Sequence, residues 1–189
     1  MTGYETISDM HAIAHNQMDQ LLDPSKGDGG AIRCERGKLV ETIVRTMWEN
    51  TGSDCHCTNQ KYEVQNRSNT ETIKMHLDVS LFRDETLVGM VECKAYLDLC
   101  YLERAAINAM YLKHTLSVPM CVVALENSVA ATSEKFILDD GWIDGIFYMC
   151  EGKRSSSKPM YRAPYFKPID ESMYRRLQTW METLYVNTR

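Results

Sequence analysis

No stretch of this 189-residue sequence approaches the roughly 18 consecutive apolar residues needed to cross a membrane. The opening MTGYETISDMHAIAH has neither the basic start nor the apolar core of a signal peptide, so a soluble, cytoplasmic chain is expected. Paired CxxC spacings are also missing. The seven cysteines, at 34, 55, 57, 93, 100, 121 and 150, stand singly, which excludes a zinc ribbon or dithiol redox site and predicts reduced thiols. Cys55-His56-Cys57 offers metal-binding atoms but has no second pair to match it, and it reads as a loop with free thiols. There is no excess of positive charge: the formal net charge of -5 argues against a general nucleic-acid coat, which must neutralise many phosphates. An enzyme acting on nucleic acid is still allowed, because carboxylates at a metal site subtract from the total while basic residues elsewhere grip the backbone.

With 44% hydrophobic residues the chain can bury a core, and its length predicts one compact domain over residues 1–189. Met10, Ile13, Ala14, Met18, Leu21 and Leu22 recur at helical spacing and predict a first helix over 7–22. DPSKGDGGA, 23–31, is broken by proline and glycine and reads as a loop. Leu39, Val40, Ile43, Val44, Met47 and Trp48 predict a second helix over 35–49, stopped by Gly52. The pattern then changes to a meander of strands, YEVQ, TIKMHLDVSLF and TLVGMVECK, the last two joined by Arg83-Asp84-Glu85. A third helix follows over 97–116, then buried strands in PMCVVALE and IDGIFYMCE with a short helix over 133–139 between them. The segment 153–167 is basic, lacks acids and carries Tyr161, Tyr165 and Phe166, and a final helix runs over 171–186. This order predicts an α/β fold, a mixed β-sheet flanked by helices.

Glu92 and Lys94 lie two apart on a strand, so they share a face while Cys93 turns into the core. If the preceding turn centres on Glu85, Asp78 lies opposite Glu92, roughly 5 Å away on the same face. A two-residue turn at Asp84-Glu85 would send the two acids to opposite faces. Carboxylates held this close repel unless a cation sits between them. A divalent metal meets that need, and magnesium takes hard oxygen ligands while keeping several waters. Lys94 adds charge where a phosphorane would form. That is the equipment for hydrolysing a phosphodiester.

Asp78, thirteen residues, then Glu92-Cys93-Lys94, on a hairpin followed by a helix, resembles the PD-(D/E)XK nuclease superfamily, with Leu77 where the family name has proline. The resemblance covers about Gly37 to His114. It implies a restriction-endonuclease-like fold and Mg2+ held by Asp78 and Glu92. It also implies that Lys94 assists the nucleophile and that an acid from an earlier helix completes the site, a position matched by Glu41. A free-standing chain of this size is similar to type II restriction endonucleases. It would cut double-stranded DNA as a homodimer, or as the cleavage subunit of a heterodimer with a larger recognition subunit. A structure-selective repair nuclease or junction resolvase, and a non-catalytic nuclease-like binding module, stand as alternatives. Candidate phosphate contacts are Arg33, Arg36, Lys38, Lys153, Arg154, Lys158 and Arg162, and the tail aromatics are candidates for stacking on bases or for packing.

Overall fold

Thr86–Leu97 forms the longest strand, β5, in a computed structural model that describes residues 2–21, 29–65, 71–155, 157–158 and 160–187. Every residue from Val88 to Cys93 is buried, as a strand must be when both faces of its sheet are covered. On one side β5 pairs antiparallel with β4 (Val79–Arg83), which pairs with β1 (Cys55–Thr58). On the other side run β6 (Met120–Asn127) and β7 (Gly145–Tyr148), both parallel. The result is a five-stranded mixed sheet in the order β1-β4-β5-β6-β7, flanked by helices, the α/β arrangement expected of a restriction-endonuclease-like fold. No helix among the described residues is long and apolar enough to cross a membrane.

Side-chain alternation divides the core. Val91 and Cys93 of β5, with Cys121, Val123 and Leu125 of β6, face a cluster built with α1 (Gly3–Leu21), α2 (Gly29–Glu49) and α5 (Glu171–Asn187). Met90, with Met120, Val122 and Ala124, faces the other cluster, under α3 (Leu99–Leu116) and α4 (Ala131–Asp139). Trp48 of α2 is wholly buried and its indole Nε1 donates to the Phe82 carbonyl at 2.9 Å, which ties the helix to β4.

Several elements differ from the sequence expectation. Helix α2 begins at Gly29 rather than near Glu35, because Ile32 and Arg36 continue the buried face of Leu39, Val40 and Ile43, and burial outweighs the poor helix propensity of the glycines. Residues 29–31 are therefore helix and not loop; 22–28, which include Leu22 and most of that expected loop, lie outside the described residues. On α1 the buried side chains include Ile7, His11, His15 and Met18, whereas Ile13 is exposed, so the inner face is rotated away from the one that hydrophobicity alone selects. Cys55-His56-Cys57 is strand β1 rather than a loop, with His56 stacked on Phe82.

TIKMHLDVSLF is two strands and not one, so the expected meander does not form. β3 (Thr72–His76) pairs with β2 (Lys61–Gln65) in a separate two-stranded ladder, and the chain breaks at Leu77-Asp78 before entering β4. Two hydrogen bonds hold the break: the Leu77 amide donates to the Gln60 carbonyl at 3.2 Å, and Asn59 Nδ2 donates to the Asp78 carbonyl at 2.7 Å. The β4–β5 turn is the two-residue one, with Arg83 opposite Thr86 and Asp84 at φ +47°, a conformation that Asp tolerates better than most residues. Continued straight, that ladder sets Asp78 against Val91. A β-bulge between the Leu81 and Phe82 pairs absorbs one extra residue, Val88, so that Val79 meets Val91 and the next position beyond the ladder brings Asp78 to Glu92. The juxtaposition expected from a longer turn is thus reached by a short turn plus a bulge.

His11 and His15 sit under Phe166 with ring centroids 4.5 Å apart, and Cys150 Sγ is 3.5 Å from His11 Nε2. Burial, the neighbouring His15 and Arg36 lower His11 from 6.5 to about 3, and burial and Arg36 lower His15 to about 4. Both imidazoles are neutral in the folded chain, while the unfolded chain takes up protons as pH falls through 6.5. The stability they allow is complete above that pH and is lost as pH falls towards the folded values. At pH 5 each histidine costs about 2 kcal/mol relative to pH 7. Denaturant unfolding at the two pH values should show this loss, and His11→Gln/His15→Gln should flatten it. A wild-type chain equally stable at pH 7 and pH 5 would contradict the assignment.

Candidate active site

β5 delivers Glu92 and Lys94 to one face by its two-residue period, and the break at Leu77-Asp78 frees Asp78 from the ladder. The Asp78 side chain then takes over a backbone role: its Oδ2 accepts the Cys93 amide at 2.8 Å. The same oxygen accepts from Lys94 Nζ at 3.2 Å, and Lys94 Nζ also donates to Glu92 Oε1 at 2.5 Å. One ammonium therefore bridges two carboxylates. Burial pushes the Glu92 carboxyl up, with Lys94 opposing and Asp78 reinforcing that shift. Burial alone would lower Lys94, but Glu92 and Asp78 outweigh it and raise its pKa, so the lysine is a cation. Cys93 is buried on the opposite face, and burial raises its thiol further.

Among the described residues, Asp78 Oδ1 and Glu92 Oε2 accept no hydrogen bond. Two hard oxygens, one on each of two adjacent carboxylates, suit a magnesium ion that keeps several waters. The third expected acid is not grouped with them: no three His, Cys, Asp or Glu side chains among the described residues stand close enough to hold one ion. Glu41 projects from α2 into the same cavity and is tied in indirectly. Its Oε2 accepts from Asn59 Nδ2 at 3.3 Å, the nitrogen that also donates to the Asp78 carbonyl, while Arg45 donates to Asn59 Oδ1.

The cavity, about 610 Å³, opens between α2, the end of β5 and the start of α3. Glu92, Lys94 and Glu41 line it together with Arg33, Lys38, Arg104, Tyr96 and Tyr101. Of the expected phosphate contacts, Arg33 and Lys38 reach it, and Lys38 is paired with Glu35 at 2.7 Å. Arg154 stands over the Tyr96 ring, 3.9 Å from its centroid. Lys153, Lys158 and Arg162 line no part of the cavity. Arg36 faces inward, buried, and its Nη2 donates to the buried Glu126 carboxylate at 2.8 Å, so it offers nothing to an external phosphate. Phe166 packs on the two histidines rather than standing free.

Asn59, Tyr96, Tyr101 and Arg104 were not singled out from the sequence. Tyr96 carries the alternation of Glu92 and Lys94 one step further, because β5 runs to Leu97 and not to Lys94. Tyr101, Arg104 and Asn108 share a polar face of α3 by helical spacing. That helix starts directly after the strand, with the Asp98 side chain accepting the Tyr101 amide as its cap. Asn59 carried no signal in the sequence; its role depends on a contact with Asp78, nineteen residues away.

No family model matches the chain. It is similar to the type II restriction enzyme DdeI of Desulfomicrobium norvegicum, 22% identical over an alignment that covers 85% of this chain and 84% of that protein.

The inward turn of Arg36 makes its role structural. Removing one partner of a buried ion pair strands the other charge, so Arg36→Met should lower stability by about 3 to 5 kcal/mol. Arg36→Met/Glu126→Leu should regain most of that loss, since neither charge is then buried alone. Denaturant melts of the two variants check this, and a loss under about 1 kcal/mol in the single variant would show the pair to be unimportant.

Proposed function

We propose that the chain is a magnesium-dependent endonuclease that hydrolyses phosphodiester bonds of double-stranded DNA, as a type II restriction enzyme or its cleavage subunit. The observation that carries this is the joining of Asp78 and Glu92 through Lys94 beside a cavity that also receives Arg33, Lys38 and Arg104. The similarity to a type II restriction enzyme supports a nuclease role. The proposed setting is the cytoplasm, where all seven cysteines stay as free thiols.

Asp78 and Glu92 would hold the metal through their free oxygens. Bound there, magnesium supplies charge that polarises the phosphate and makes water a better nucleophile. The Cys93 amide fixes Asp78 Oδ2, and Asn59 fixes the Asp78 backbone, so the carboxylate meets its task without rearranging. Lys94, a cation between the acids, puts positive charge where negative charge builds as water adds in line. Arg104, whose charge already bears on Glu92, is placed to take a nonbridging phosphate oxygen. Glu41 acts in this scheme through Asn59, as a positioning group.

One such set of residues serves one strand. Cutting both strands then takes a symmetric homodimer or a larger recognition subunit, and a net charge of -5 implies weak independent affinity for DNA.

Plasmid incubated with the chain and magnesium, with and without the products of neighbouring genes, should give discrete bands. Asp78→Asn and Glu92→Gln should each reduce cleavage by at least on the order of 100-fold with the melting temperature retained, and Lys94→Ala should reduce cleavage comparably by removing transition-state charge. Full activity in either acid variant would refute the site. Calcium should support DNA binding without efficient turnover, because its looser coordination tolerates the carboxylate pair but positions water poorly. Equal turnover with calcium and magnesium would also count against it.

A further inference from the structure

Beyond Lys94, the same face of β5 presents Tyr96, and two arginines from distant parts of the chain converge on its ring. Arg33, from α2, lies 6.0 Å from the ring centroid, and Arg154, from the basic tail, lies 3.9 Å from it. The Tyr101 ring meets Tyr96 edge-on at 5.5 Å, and Tyr101 also faces the Arg33 guanidinium and raises its pKa. The placement of Arg154 is built into the backbone. Its amide donates to the Asn127 carbonyl at 2.7 Å, and Lys153 forms a parallel bridge with Asn127 at the end of β6, the residue that pairs with Leu97.

Neither arginine forms an ion pair with any described carboxylate, although the chain has more acidic than basic residues. Cation–π attraction draws both guanidiniums to the ring and leaves that end of β5 strongly positive. An anion seated there would be attracted to both. Lys94 and Tyr96 are two residues apart on one strand, about 7 Å, a step comparable with that between neighbouring phosphates along a nucleic-acid strand.

We infer that Arg33 and Arg154, seated on Tyr96, form a clamp for the phosphate adjacent to the one being cut. The inference rests on the endonuclease reading and extends it. The substrate must be a polynucleotide with a charged neighbour beside the scissile bond, and the clamp positions that strand on Lys94 and Glu92. Arg33 and Arg154 are positioning residues; the chemistry stays with the bridged acids.

The test uses a duplex spanning a cut site mapped on plasmid, with a neutral methylphosphonate placed in turn at each phosphate flanking the scissile bond. Wild type should lose on the order of 10- to 100-fold in kcat/KM when one of the two is neutral. Arg33→Ala/Arg154→Ala, both exposed positions, should melt like wild type, show a similar loss on the fully charged duplex, and lose nothing further on the neutral one. Tyr96→Leu should follow the arginine variant and Tyr96→Phe should follow wild type. If the double variant keeps the wild-type sensitivity to the neutral linkage, the clamp is overturned while the nuclease assignment stands. If wild type cuts no DNA, the nuclease assignment fails, and binding of a short duplex then decides the clamp. Its slope of log affinity against log salt should be shallower by about 2 in the arginine variant, and an unchanged slope overturns the clamp.

Discussion

Lys94 Nζ stands 2.5 Å from Glu92 Oε1 and 3.2 Å from Asp78 Oδ2, and this bridge is what allows two carboxylates to share the middle of a mostly apolar sheet. Glu92 is only 8% exposed on the central strand, where an isolated carboxylate would take a proton rather than stay charged. The ammonium beside it opposes that shift, and burial still holds the carboxyl above its ordinary value. The surroundings follow from this need: Cys93 faces the opposite side into the core, β4 is cut short so that Asp78 can turn inwards, and Arg104 comes from the helix that starts one residue after the strand ends.

The route by which Asp78 arrives is a matter of register. A two-residue turn and an unbroken ladder would oppose Asp78 to Val91, and a strand's period of two would put the acids on opposite faces. One bulge residue, Val88, corrects the register, and the break at Leu77-Asp78 lets the Asp78 side chain accept the Cys93 amide in place of a ladder carbonyl. Both irregularities cost backbone pairing; the bulge lies four residues up the strand from Glu92 and the break lies at Asp78 itself. A bulge re-aims the side chains that follow it, and here it acts on the site through register.

Charge in this chain is sorted by position rather than by amount. The net charge is negative, yet the cavity beside the acids gathers Arg33, Lys38 and Arg104, with Arg154 over Tyr96 at its edge. Arg36, three residues from Arg33 on the same helix, turns inward and closes a buried pair with Glu126 beneath the neutral His11 and His15. Three residues offset the two side chains by only about 60° around the helix axis, and at the edge of the buried face that offset separates a surface cation from a core ion pair.

By itself the sequence determined the α/β class, the existence of nearly every helix and of the buried strands, and the sharing of one face by Glu92 and Lys94. These are consequences of local period, 3.6 or 2, which any short window records. Strand β1, the split of TIKMHLDVSLF, the inward histidines of α1 and the bulge at Val88 were decided only by the tertiary structure, because each depends on which distant segment covers which face. The same holds within the site. Asp78 and Glu92 could be proposed as partners from a turn count, but Asn59, Tyr96, Tyr101 and Arg104 enter through contacts across the fold, and the burial of Arg36 rests on Glu126, ninety residues away. Side-chain chemistry is written in the sequence; which atoms it meets is set by packing of elements whose relative positions no local pattern encodes.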